Sequence, residues 1–216
     1  MMTQNTDITR IRVRYSKGSS LRFTGHLDMQ RLWERTLRRS GLPVRYTQGY
    51  HPRARLNLAS ALPLGFISED ELLDFWMDEP QALNEIHSRL AATAPPGLVI
   101  RSVEEVALGE DALQVQMKAS EFTVAFYDPI DGQELARQVH TLLEQDEIIM
   151  TRRNKSYDLR PLILGLEVNA YPEGETGLWM RLLAEPGATG RPDDVLEALG
   201  YPNTTYLVRR TEIILA

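Results

Sequence analysis

Two histidines sit in turns marked by glycine. His26 follows Gly25, and His51 follows Gly49 and Tyr50 in the stretch "TQGYHPRARL". Near neutral pH two uncharged imidazoles are a general base and, once protonated, a general acid. With arginines to hold a scissile phosphate, such a pair would cut RNA without a metal. The plainer reading is anchorage, with His26 packing at a helix start and His51 fixing its turn. Two histidines of unknown separation favour that plainer reading. His26, Asp28 and His51 also offer imidazole and carboxylate ligands, yet their spacing matches no metal signature, and His26 and Asp28 do not share a helix face. Asp28 reads instead as a first-turn acid or N-cap, and no metal is expected.

Arginines surround these turns. Arg10, Arg12 and Arg14 share one face of an alternating segment, Arg31, Arg35 and Arg38 share one side of a helical segment, and Arg53 and Arg55 lie in the second turn. If the three segments converge, these eight cations form one concave patch, with Tyr46 and Tyr50 beside it as stacking surfaces. Arginine interleaved with aromatics suits single-stranded RNA. A solvated helix face and a charged strand are the ordinary alternatives. "RRNKSYDLRPLI" repeats the theme in the second half. Arg152, Arg153 and Lys155 precede a turn, and Asp158 and Arg160 are spaced to share a strand face, either as a second phosphate clamp or as a cross-paired hairpin tip. Gly25, Asp28, Gly49 and Pro52 shape the turns rather than bind.

Bulk charge sharpens the question. The net charge of −6 hides 12 Lys and Arg against 3 Asp and Glu in residues 1–60, a balance of +9. Residues 61–150 hold 4 against 18, a balance of −14. Eleven of the twelve early cations are arginine, whose forked guanidinium fits phosphate and carboxylate. They serve either an anionic ligand, RNA first, or the protein's own acidic middle. There is no cysteine, so disulfides, thiolate zinc sites and cysteine-held iron–sulfur clusters are excluded. No Walker A sequence, dinucleotide fingerprint or serine elbow is present. No apolar run is long enough for a membrane span and the start has no signal-peptide core, so a cytoplasmic protein is expected, with its first seven or so residues loose.

Positioning these residues requires regular elements. "ITRIRVRY" alternates as a strand. "LRF" extends its pairing, and a helix runs from about Leu27 to Ser40, with Met29, Leu32, Trp33 and Thr36 inward. "LPVRYTQ" reads as a strand, "RLNLAS" as a third or as its continuation, and "ELLDFWMD" as a further strand. "PQALNEIHSRLAATA" is a helix with Leu83, Ile86 and Leu90 inward, and "LVIRSVEEV" closes the set. "NLASALPLG" suggests tight backbone packing or a hydrophobic docking site, and core packing is the reading favoured. The order is β-α-β-β-α-β, the ferredoxin-like pattern. After a break at "ALGEDAL" the pattern repeats with one extra strand. The expected fold is α+β: two ferredoxin-like units, 1–108 and 112–216, each an antiparallel sheet with helices on one face.

The stretch 14–74, with "GHLD" (25–28), "TQGYHPR" (47–53) and "ALPLG" (61–65), resembles the bacterial radical SAM-linked protein family, as does "KSYDLRPLI" (155–163) with its "DLRP" (158–161). That family more often has Ser at Thr47 and Phe at Tyr50. The resemblance implies a partner, since members occur beside or fused to radical SAM proteins with a cobalamin-binding domain, and some lie near genes for ribonucleases of the E/G type. A chain without cysteine cannot hold the radical SAM cluster and is expected to bind no cofactor itself. The leading expectation is an accessory protein without catalysis of its own. It would hold RNA or another substrate for a radical SAM enzyme in RNA- or ribosome-linked modification, using Arg31, Arg35, Tyr50, His51, Arg53, Arg55, Lys155, Asp158 and Arg160. A metal-independent endoribonuclease using His26 and His51 is one alternative. An adaptor that contacts only protein is the other.

Overall fold

The computed structural model describes residues 8–152, 154–170, 176–202 and 204–216. The expected loose start and Arg153 lie outside the described residues. The chain divides into two compact units, Met1–Gln116 and Met117–Ala216.

The first unit runs β1 (Thr9–Lys17), α1 (His26–Ser40), β2 (Leu56–Leu58), β3 (Ile67–Met77), α2 (Leu83–Thr93), β4 (Leu98–Val106) and a one-turn α3 (Leu113–Gln116). β1 pairs antiparallel with both β3 and β4, and β2 pairs antiparallel with β3. The spatial order is therefore β4-β1-β3-β2, the ferredoxin-like arrangement. Alternation explains which face carries the helices. Ile11, Val13 and Tyr15 lie opposite Phe75, Leu73 and Glu71 on β3. The apolar members of this set join Trp33 and Leu37 of α1 and Ile86 and Leu90 of α2 in one core. Trp33 is fully buried, with its ring edge-on to Tyr15 at 4.8 Å. Truncating it to Ala would cost about 3–5 kcal/mol. Helix α1 starts at Gly25 without a side-chain cap and stops at Gly41, whose left-handed φ of 67° suits glycine.

Three expectations about the first unit change. "LRF" does not extend β1, because Ser19–Leu21 forms a 3-10 turn. Leu83 is the first residue of α2 and is exposed, whereas Ile86 and Leu90 are buried as read. "LPVRYTQ" is not a continuous strand. Val44 bridges to Met77 and the Arg45 N–H donates to Trp76 O. The Trp76 N–H then donates to Arg55 O, and β2 resumes opposite Phe75. The edge strand is thus one line interrupted by an excursion of residues 46–54.

The second unit runs β5 (Met117–Phe126), α4 (Gly132–Leu143), β6 (Ile149–Arg152), β7 (Lys155–Asp158), β8 (Ile163–Ala170), β9 (Thr176–Glu185), β10 (Ala188–Thr189), α5 (Pro192–Ala198) and β11 (Tyr206–Leu215). β5 pairs with β11 and β9, and β9 pairs with β8 and the short β10, all antiparallel. The order β11-β5-β9-β8 repeats the pairing of the first unit. The β6–β7 hairpin is inserted between α4 and β8. Asp131 caps α4 by accepting from the N–H groups of Gln133 and Glu134. Leu135, Val139 and Leu142 turn inward.

Candidate functional site

The first-unit arginines do not converge. Arg10 and Arg12 project from β1 on the face opposite the helices, and both are buried. Each donates to the carboxylate of Asp74, Arg10 with Nη2 at 2.5 Å and Arg12 with Nε at 2.9 Å. Arg10 also donates to the carbonyls of Glu110 and Asp111, and Arg12 donates to Gln116 Oε1. Burial alone would lower the Arg12 pKa. The hydrogen bond and charge of Asp74, with Glu110 and Glu104 beyond it, outweigh burial and leave it raised. Arg14 binds both oxygens of Asp70, and Arg45 pairs with Asp78 at 2.7 Å. The single patch of eight cations is therefore corrected: its strand arginines are held by acids from the acidic middle of the chain. A period-two face of cations looks identical in sequence whether it meets solvent or a layer of carboxylates.

Other cations of the block reach the surface. Arg31, Arg35 and Arg39 recur every four residues on α1, about 6 Å apart along the axis. They line a shallow groove of about 280 Å³ together with Asp28, Leu32 and Pro95. Arg39 donates to Thr93 O at the end of α2, and Arg31 makes an exposed pair with Asp28 at 3.3 Å. Such an exposed pair contributes at most about 1 kcal/mol and yields readily to a stronger anion. The guanidinium groups of Arg35, Arg38 and Arg53 have no ion-pair or hydrogen-bond partner among the described residues. No Asp or Glu occurs from Arg35 to Ser68.

The excursion at 46–54 is a small hairpin. Tyr46 bridges to Ala54, the Thr47 N–H donates to Arg53 O, and the Arg53 N–H donates back to Thr47 Oγ1. Arg55 donates its N–H to Arg45 O and closes the base. Its guanidinium lies 4.3 Å from the Trp76 ring centroid. Gly49 holds φ 144°, a conformation side chains resist. Tyr50 is 95% exposed, and His51 meets its ring edge-on at 5.3 Å. His51, Pro52 and Arg53 are exposed as well.

His26 occupies a different place. It opens α1 and borders a cavity of about 10 Å³, room for about one water, with Tyr15, Lys17, Met29, Ser60 and Glu71. His51 does not line it. Beside this cavity the turn at 22–24, just before "GHLD", is locked to residues 65–66 at the end of "ALPLG". Arg22 Nε donates to Gly65 O at 2.7 Å, and the Gly65 N–H donates to Arg22 O. Lys17 is only 1% exposed, and its Nζ donates to the carbonyls of Thr24 at 3.1 Å, Phe66 at 3.3 Å and Arg22 at 3.4 Å. Asp28 lies in the first turn of α1 and makes no cap there.

In the second unit the "DLRP" stretch is a knot rather than a strand. Asp158 ends β7, and its Oδ1 accepts from the N–H groups of Ile148 and Arg160. Leu159 is buried, and Arg160 opens a 3-10 turn. The Arg160 guanidinium donates to the carbonyls of Leu143 and Ile163. Asp158 and Arg160 neither share a strand face nor cross-pair, because each side chain ties down local backbone. Lys155 and Arg152 are exposed on the adjoining hairpin.

A family described as an uncharacterized protein conserved in bacteria (DUF2344) matches residues 10–192. The chain belongs to DUF2344. No curated protein matches this DUF2344 chain. Among solved structures it is similar to a chain of a Cbf5-Nop10-Gar1 complex, at 8% identity and a TM-score of 0.48. It is also similar to a chain of the archaeal box H/ACA sRNP Nop10-Cbf5 complex, at 8% identity and 0.44. Each match covers 95% of this chain and 48% of the other, so the DUF2344 chain spans about half the length of those chains. No helix among its described residues is long and apolar enough to cross a membrane.

Sequence reading missed three features of this DUF2344 chain. Arg39 belongs to the groove, which its four-residue spacing from Arg35 signals. Lys17 is an interior staple, and nothing local to "YSKGS" signals that. Phe23, Leu27 and Leu64 are 76%, 68% and 64% exposed around the locked loops, with Leu64 over Gly25. Unpatterned apolar residues in turns were the only hint.

Proposed function

We propose that this DUF2344 protein is an accessory RNA-binding protein that holds RNA through the arginine groove of α1 for a partner enzyme. One observation carries the reading. Arg31, Arg35 and Arg39 stand one helical turn apart in an open groove, and Arg35 opens a 34-residue stretch without an acid that also holds Arg38 and Arg39. A ladder with that spacing suits successive phosphates of an extended strand, and phosphate contact is the dominant source of affinity for nucleic acid. His26 and His51 border different features, which supports holding RNA over cutting it. The partner is a radical SAM enzyme, a reading supported by the resemblance of residues 14–74 and 155–163. The cluster thiolates would be the partner's, since this chain has no cysteine.

Filter retention of a single-stranded RNA from about 50 to 200 mM salt tests the binding. Affinity should fall with salt with a slope near −0.7 per phosphate contact. Arg35→Ala with Arg39→Ala should weaken binding and flatten that slope by about 1.4. Binding that ignores both salt and these substitutions sinks the reading. An adaptor role is favoured by a separate observation, the exposed apolar side chains of Phe23, Leu27 and Leu64. Loss of the radical SAM partner from Leu27→Asp, with RNA retention intact, would assign those side chains to protein contact.

A further inference from the structure

We infer that the hairpin tip at residues 47–53 is a nucleobase platform, on which one unpaired base stacks against Tyr50 while Arg53 holds an adjacent phosphate. The inference rests on the RNA reading above and adds what the α1 groove lacks, a contact to the base rather than to the backbone.

Tyr50 is not exposed for want of a place to go. It stands at the end of an excursion that leaves the edge strand after Arg45 and rejoins it at Arg55, so the sheet would close without it. Burying a large side chain stabilises by about 1.5–3 kcal/mol. The hairpin forgoes that gain and leaves the ring 95% exposed. The tip is also built to hold still. The base is closed by Arg55 on Arg45, the neck by the Tyr46–Ala54 bridge, and the shoulder by two hydrogen bonds between Thr47 and Arg53. The His51 and Tyr50 rings meet at an interplanar angle of 89°, a contact that limits the swing of a tyrosine otherwise open to solvent. A rigid aromatic loses little conformational entropy when a ligand stacks on it.

An exposed tyrosine by itself suits a protein as well as a base. The charges decide between them. Arg53 lies on the same turn with an unpartnered guanidinium, and no carboxylate occurs between residues 35 and 68 to neutralise it. The Asp78 carboxylate beside the hairpin base is engaged by Arg45. An aromatic face next to an unspent arginine is the pairing single-stranded nucleic acid uses, because every base has a stackable face with a phosphate attached. The base must be unpaired, since bases in a duplex are already stacked on their neighbours.

The test compares a twelve-residue oligoadenylate with an abasic ribose-phosphate strand of the same length, against the full chain and its Tyr50→Ala and Tyr50→Phe variants. Wild type should prefer the base-bearing strand by about 5- to 100-fold. Tyr50→Phe should keep that preference. Tyr50→Ala should abolish it while retaining salt-dependent binding of the abasic strand, a retention that also shows the variant is folded. Equal binding of both strands by wild type, or a preference that survives Tyr50→Ala, overturns the platform and leaves the groove reading standing. No binding of either strand at low salt overturns both. A Tyr50→Ala variant with unaltered RNA binding that loses a protein partner would reassign the tip to protein contact.

Discussion

Arg10 Nη2 lies 2.5 Å from Asp74 Oδ2 with both side chains sealed from water, at 2% and 0% exposure. Arg12 shares the same carboxylate, so one acid serves two guanidiniums inside the first unit. Removing that acid strands two buried cations. Asp74→Ala should destabilise the protein by about 3–5 kcal/mol, read from urea denaturation. A loss below about 1 kcal/mol would mean that water or a neighbouring acid replaces Asp74.

Arg35 of the α1 groove and Arg38 beside it should behave in the opposite way. Arg35→Ala and Arg38→Ala remove exposed, unpaired side chains and should leave stability within about 0.5 kcal/mol. Any loss of RNA retention in these variants is then a loss of contact. A fall of several degrees in melting temperature would show that the helix face does structural work instead.

Lys17 makes a third case. Lys17→Met keeps most of the volume and the apolar stem but takes the lysine donor from the carbonyls of Thr24 and Phe66, and leaves Arg22 O with the Gly65 N–H. Unsatisfied buried acceptors cost about 1–3 kcal/mol each. Stability should fall by at least that much. Hydrogen exchange should quicken at Thr24 and Gly65, whose N–H groups bond within and between these loops. Unchanged exchange there would separate Lys17 from the loop geometry.

Alkaline pH offers a fourth. Tyr157 donates to Asp194 at 2.6 Å, tying the β6–β7 hairpin to the start of α5. Burial first, then that hydrogen bond and the Asp194 charge, raise the phenol above its ordinary value. An unfolded tyrosine loses its proton near about 10. The stabilisation is therefore complete below that pH and is lost as pH climbs through the raised folded value. Tyr157→Phe removes the titrating group and should show a shallower loss of stability above pH of about 10, measured by urea midpoints at stepped pH. Parallel curves for the two proteins would contradict the assignment. Tyr201 and Tyr206 are raised by burial too, but titrate alike in both.

Much of the fold was legible because its signals are local. The alternation of Ile11, Val13 and Tyr15 and the four-residue rhythm of Met29, Trp33 and Leu37 name strand and helix from within their own spans. The strand-and-helix order then yields the ferredoxin-like pairing. What stayed hidden depends on distant partners. Arg10 and Arg12 were legible as a face, but Asp74, some sixty residues on, decides that the face is interior. "DLRP" looked like a strand because its backbone anchors lie at Ile148 and Leu143. The sequence leaves open whether "RLNLAS" is a third strand or the continuation of "LPVRYTQ", because the residues that keep the edge strand in line, Phe75 and Trp76, belong to β3. At the candidate site, exposure of the 46–54 turn followed from its glycine and proline. The division of labour between groove, tip and locked loops did not.

The staple at Lys17 has a consequence for how such a chain can diverge. One nitrogen answers to three carbonyls on two separate loops, so neither loop can lengthen, shorten or shift alone without withdrawing an oxygen from it. The turn at 22–24 and the loop that ends at Phe66, about forty residues apart, are in effect inherited as one trait. A descendant that remodels the first must remodel the second in the same step or give up the lysine.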